Sequence, residues 1–139
     1  MAGHAKTKQL LCAHPCLIVN NLIESAEFYR DKLGFTFERY WGEPPCFVMV
    51  LRDDVEIFLS CQGPGLAKPN RKVHPEIFWD AYINVRDVVA LCEEFKSKGV
   101  KIARGPETAF YHQREIEIED CNGYRICFAQ DVSPEDANS

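Results

Sequence analysis

Apolar residues recur along this chain in two rhythms. Leu17 and Val19 alternate, the period of a strand. After Asn21 the rhythm lengthens, and Ala26, Tyr29 and Leu33 recur at three- to four-residue spacing, the stripe of an amphipathic helix. Asn21 can cap that helix and Gly34 can stop it. The same signals return later: Ile83 and Val85 alternate, Asp87 is the cap candidate, Val88, Leu91 and Phe95 form the stripe, and Gly99 follows. Residues 17–39 and 82–104 are therefore two copies of one pattern of strand, helix, glycine and strand.

Each copy is followed by two more strand-like runs, CFVMVL and VEIFLSC in the first and REIEIED and YRICFAQ in the second. The last two flank an Asn-Gly pair, a tight-turn signal. The expected fold is α+β, one domain over residues 10–130 built from two β-α-β-β-β modules. Module 1 covers about 10–61 and module 2 about 77–130, joined by a Gly-, Pro- and Lys-rich linker, 62–76. Residues 1–9 and 131–139 are expected to be flexible tails. One such sheet cannot bury itself alone, so the modules must pair within the chain or across a dimer.

Composition narrows the class. At 139 residues, 46% hydrophobic and 12% aromatic, the chain can bury a core. The run LLCAHPCLIV is broken by His14 and Pro15 and is shorter than the roughly 18 residues of a membrane span; no signal peptide is read. Seven cysteines without a disulfide-framework spacing fit reduced thiols in the cytoplasm. A net charge of -5 offers no basic stripe for nucleic acid.

The repeat locates the candidate chemistry. His14 precedes the cap Asn21 by the interval that separates Asp80 from Asp87, and aligning VEIFLS with YRICFA pairs Phe58 with Cys127. These four positions should converge near the middle of the paired sheets. Cys12, His14 and Cys16 share one strand face, neighbours about 6.6 Å apart. With Asp80 and Cys127 they would offer zinc a mixed sulfur, nitrogen and oxygen site. Phe58 supplies no lone pair, and Glu56 could replace it only by a strand shift that breaks the repeat. The alternative is a pocket wall, with His14 hydrogen-bonded and Cys127 a small buried residue. Glu115, Glu117 and Glu119 alternate with Ile116 and Ile118, so the acids lie either on the cavity side with Cys127 or on a solvated outer face.

The segments HPCLIVNNLIESAEFYRDKLGF, DAYINVRD and EDCNGYRICFAQ resemble the vicinal oxygen chelate superfamily of glyoxalases, extradiol dioxygenases and fosfomycin and bleomycin resistance proteins. The likeness covers most of residues 10–130. It implies paired modules curling into a concave, partly closed mixed sheet with helices outside, usually as a homodimer. In metal-dependent members the four convergent positions commonly carry histidines and glutamates; here they carry His14, Phe58, Asp80 and Cys127. The segment around Tyr111, Arg114 and Glu115 is similar to bleomycin resistance proteins, which lack the metal and sequester a cationic glycopeptide between subunits. His112-Gln113 stands here where that branch more often has glycine-methionine.

The resemblance implies metal-independent binding of a small to medium cationic or aromatic ligand. His14, Trp41, Phe58, Asp80, Tyr111 and Arg114, with Glu115, Glu117 and Cys127, are the candidate contacts; Phe47 and Trp79 are further aromatic candidates. No cofactor and no nucleic-acid or membrane partner is expected. The alternatives are a lyase, isomerase or dioxygenase whose divalent metal, such as zinc, is held by His14, Asp80, Cys127 or Glu56, and a silent assembly domain.

Overall fold

The computed structural model describes residues 7–134; of the expected tails 1–9 and 131–139, residues 1–6 and 135–139 lie outside the described residues, and Asp131 ends the last strand instead. In chain order the elements are β1 (Cys16–Ile18), α1 (Leu22–Asp31), β2 (Tyr40–Trp41), β3 (Phe47–Arg52), β4 (Val55–Ser60), α2 (Asn70–Val73), β5 (Ala81–Asn84), α3 (Val88–Ser97), β6 (Ile102–Thr108), β7 (Gln113–Glu119) and β8 (Arg125–Asp131). They form two four-stranded mixed sheets, ordered β1-β4-β3-β2 and β5-β8-β7-β6. The fold is α+β. Among the described residues no helix is long and apolar enough to cross a membrane.

Local chemistry sets the helix ends. The Asn21 side chain accepts from the Glu24 N–H at 2.9 Å, and Asp87 accepts from Ala90 N–H at 3.0 Å. Each satisfies an N–H that the helix leaves unpaired. Leu22, Ala26 and Tyr29 of α1 and Val88, Cys92 and Phe95 of α3 are buried, so the face laid on each sheet follows the stripe read from the sequence, except that Leu91 is half-buried and Cys92 takes the fully buried place. Two features differ from the reading. The strand expected straight after Gly34 is reduced to an isolated bridge, Thr36 with Leu51, before the two-residue β2. The linker contains the short helix α2, which the proline and glycine content of that stretch hides.

Strand registers carry the internal repeat through. Cys16 pairs with Phe58 in the parallel β1-β4 ladder, and Tyr82 pairs with Cys127 in β5-β8. His14 and Asp80, each two residues earlier, are therefore equivalent, as are Phe58 and Cys127. Among the described residues no strand of one sheet pairs with a strand of the other.

The modules meet instead through their helices and turns, and one buried apolar cluster runs through both. Tyr29 of α1 donates to Asp120 Oδ2 at 2.7 Å, a buried contact. Asp120 Oδ1 also accepts from the N–H groups of Asn122 and Tyr124, closing the β7-β8 turn. The Asn122 amide donates to Ser25 and accepts from Asn20 N–H, and the Tyr124 hydroxyl donates to the Ile18 carbonyl. At the other end Arg52 makes two hydrogen bonds with Glu94, at 2.8 and 2.9 Å.

Candidate functional site

Alternation along β7 divides its side chains. Ile116 and Ile118 point to the helix side, while Glu115 and Glu117 share the opposite face with Cys127, since Glu117 and Cys127 are register partners. The acids are not a solvated row: Glu115 is 1% exposed and Glu117 3%. A buried carboxylate requires a counter-charge and hydrogen-bond donors, and the neighbouring strands supply both.

Arg104, on β6 opposite Glu117, provides most of the charge. Its Nη2 donates to Glu115 Oε1 and its Nε to Glu117 Oε2, each at 2.7 Å, and Nη1 reaches Glu107. Arg125 Nη1 donates to Glu117 Oε1 at 3.2 Å. Aromatic donors complete the set. Tyr82 and Tyr111 both donate to Glu115 Oε2, at 2.8 and 2.7 Å, and the Trp79 indole N–H donates to Glu117 Oε2 at 2.9 Å. Burial alone would raise the Glu115 carboxyl, but the donors from Tyr111, Arg104 and Tyr82 outweigh it and hold it below its ordinary value. Burial and the bond to Glu115 push the Tyr111 hydroxyl up to about 12, so it stays a donor at neutral pH.

Arg104 was not singled out from the sequence, because β6 does not keep a simple alternation. Its register with β7 shifts between Ile102 and Arg104 and again between Arg104 and Glu107. Gly105 lies in that irregularity with φ of 89°, and a Cβ there would sit 2.2 Å from the Glu115 carbonyl oxygen. Only glycine permits this approach. The Gly-Pro pair at 105–106 was the available signal of a bulge.

Cys127 lies beneath the lattice, fully buried. Burial, then the charges of Glu115 and Glu117, push its thiol up to about 12, which leaves little of the thiolate that a nucleophile needs at neutral pH. Iodoacetamide at about pH 8 is expected to tag the exposed Cys12 and Cys16 and to leave Cys127 unmodified until the protein is unfolded. A tag on Cys127 in the folded protein, read by mass spectrometry, refutes this.

The remaining candidates lie elsewhere. Arg114 is on the other face of β7, donating to Thr108 at 3.3 Å; its partner across the ladder, Gln130, accepts from the first N–H of α3. The structure does not bring Arg114 to the Glu115 lattice. Asp80 uses both oxygens on backbone, accepting from Asn70 N–H at 2.7 Å and Arg125 N–H at 2.8 Å. On module 1, His14 stacks on Phe58 with ring centroids 4.9 Å apart, and Phe47 lies 5.5 Å beyond. His14 Nδ1 lies 3.3 Å from the Glu56 carbonyl oxygen and 3.6 Å from Glu56 Oε1. The Arg39 guanidinium covers the Trp41 ring at 3.9 Å.

These donors do not fit a metal centre within one chain. His14 and Glu56 belong to module 1 and Asp80 and Cys127 to module 2, and among the described residues no three His, Cys, Asp or Glu side chains gather around a common point.

Two repeated β-α-β-β-β modules, with a hydrogen-bonded acidic and aromatic lattice on the exposed sheet face of the second, define a paired-module protein of the vicinal oxygen chelate type. Residues 11–128 match the Glyoxalase/Bleomycin resistance protein/Dioxygenase superfamily, and the chain belongs to that family. No curated protein matches it. Among solved structures it is similar to TnmS3, an antibiotic binding protein from Streptomyces sp. CB03234, at 18% identity and TM-score 0.64 over 89% of this chain and 99% of that one. UcmS2 matches at 20% identity and TM-score 0.68, covering 88% and 98% of the two chains. A superfamily member from Nocardioides matches at 18% and 0.64, covering 96% and 92%. At these identities the likeness is one of fold.

Proposed function

We propose that this chain is a metal-independent binding protein that sequesters a small to medium aromatic ligand as a cytoplasmic homodimer. The observation that carries the reading is the lattice on module 2. Two buried carboxylates, Glu115 and Glu117, are paired with two guanidinium groups, Arg104 and Arg125, which also reach the exposed Glu107 and Glu119, so the buried acids are already spent and the excess negative charge lies at the rim. What the face does offer is aromatic surface, with Trp79 and Tyr82 4.7 Å apart and Tyr111 beside them. The ligand is therefore chiefly aromatic, with any cationic group meeting the rim. The aromatic surface, together with the name of TnmS3 as an antibiotic binding protein, makes aromatic antibiotics the first compounds to try. Homodimer formation is supported by module 1, whose sheet exposes Ile18, Trp41 and Leu51 beside the half-buried Phe58, a surface suited to cover by a second copy.

Thermal unfolding and Trp fluorescence, recorded with aromatic antibiotics, cationic glycopeptides and simple amines, test the proposal. Aromatic compounds are expected to raise the melting temperature, by the equivalent of about 2.7 kcal/mol at a hundredfold excess over Kd. EDTA should leave the shift unchanged. Trp79→Ala is expected to weaken binding about tenfold, or about 1.4 kcal/mol. Stabilisation only by non-aromatic cations rejects the ligand class, loss of the shift in EDTA rejects metal independence, and a monomer by light scattering at tens of micromolar rejects the dimer.

A further inference from the structure

A cavity of about 390 Å³ opens on the helix side of the sheets where the two modules meet. It shares no residue with the lattice around Glu115 or with the His14–Phe58 stack. One wall is the β3-β4 turn of module 1; the other is the start of α3 and the loop before it, in module 2. Its inner lining is apolar, from Phe35, Val55, Ile83, Val85 and Leu91, and clefts at such junctions with an apolar floor and few polar groups are the usual form of a small-molecule site.

The charges on its rim can be sorted by what they already do. Arg52 and Glu94 are spent on each other, and Asp87 caps α3. Three charged side chains remain without a hydrogen bond or ion pair among the described residues: Asp53 and Asp54 on the module 1 wall and Arg86 on the module 2 wall. The cleft thus presents free charges of opposite sign on opposite walls, with apolar surface between them.

We propose that this cleft is a second ligand site, taking a small zwitterion with an apolar side chain, of the amino acid class. The ammonium group meets Asp53 and Asp54, the carboxylate meets Arg86, and the side chain lies on the apolar floor. Because each charge is read by a different module, an occupant ties module 1 to module 2. The site acts independently of the lattice described above.

Isothermal titration with L-phenylalanine, phenethylamine and 3-phenylpropanoate tests this. Phenylalanine is expected to bind, and the two probes carrying one charge each to bind at least about tenfold more weakly. Arg86→Gln, and Asp53→Asn combined with Asp54→Asn, should each reduce phenylalanine to the level of the corresponding one-charge probe. Ala90 lines the cleft from an exposed helix position, so Ala90→Trp should fill it and abolish binding while the protein stays folded. Trp79→Ala, on the other face, should leave phenylalanine binding unchanged. No heat at concentrations on the order of millimolar, equal binding of all three probes, or undiminished binding in Ala90→Trp overturns the proposal. Loss of phenylalanine binding in Trp79→Ala overturns it by moving that binding to the other face.

Discussion

Arg104→Met is expected to destabilise the protein by about 3–5 kcal/mol, because it removes the cation that two buried carboxylates share while leaving both in place. Arg125 still reaches Glu117, at 3.2 Å, but Glu115 loses its only guanidinium partner and keeps only the hydroxyls of Tyr82 and Tyr111. Urea unfolding near neutral pH measures the loss, and a change below about 1 kcal/mol would show the pairing to be of the surface kind. The pH dependence gives a second, sign-specific check. In the wild type the Glu115 carboxyl is held below its ordinary value, so its contribution is complete above the unfolded carboxylate pKa of about 4.3 and is lost as pH falls through the folded value. In Arg104→Met burial is no longer outweighed, the folded pKa rises, and stability increases as pH falls toward that of the unfolded carboxylate. The two slopes should have opposite signs. Burial also raises the Asp120 carboxyl, but that contribution is common to both proteins and cancels in the difference. The double replacement of Glu115 and Glu117 by Gln in the Arg104→Met background should recover part of the loss, since it removes the unpaired charge.

Asp120→Ala carries the second large effect. It strips the partner from three donors at once: the buried Tyr29 hydroxyl and the N–H groups of Asn122 and Tyr124. Each unsatisfied buried donor costs about 1–3 kcal/mol, and water entering the space relieves some of it, so a total of about 3–5 kcal/mol is expected. Asp120→Asn keeps an oxygen for the two backbone N–H groups, and the Tyr29 hydroxyl can turn to accept from the new amide; about 1 kcal/mol is expected there. Tyr29 belongs to module 1 and Asp120 to module 2, so the loss should appear as weakened contact between modules. Hydrogen exchange in α1 and in the β7-β8 turn should rise together in Asp120→Ala, well before exchange within either sheet. Exchange confined to the turn would make Asp120 a local turn residue with no role at the junction.

The sequence was most informative where a local rule and a tertiary need coincide. Asn21 and Asp87 cap helices, Gly34 and Gly99 follow them with φ of 80° and 78°, and the stripes between are buried apart from the half-buried Leu91. Reading the chain as a repeat placed His14 with Asp80 and Phe58 with Cys127, and the strand registers carry both equivalences. The site was harder to read, for two physical reasons. A row of glutamates reads as a surface by composition, because burial of a carboxylate depends on a partner from another strand; Arg104 is that partner, and the bulge at Gly105 removes it from any alternation count. Asp80 occupies a position equivalent to His14, but which atoms meet a carboxylate is decided by the approach of α2 and β8, whose backbone N–H groups take both of its oxygens. Spacing places a side chain on a face and does not say what else arrives there.

The two modules are copies in backbone and unlike in chemistry. One sheet face carries the stacked rings of His14, Phe58 and Phe47; the equivalent face of the other carries paired charges held by Tyr82, Tyr111 and Trp79. A duplicated frame favours a guest with two equal ends, whereas divergent faces favour a lopsided one. A molecule that spans a module 1 face and a module 2 face would gain most with a plain hydrocarbon ring system at one end and hydroxyl- or carbonyl-bearing rings at the other. A two-fold symmetric guest would leave one of its ends mismatched, so under the proposed binding function the divergence of the two faces would tell one end of a ligand from the other.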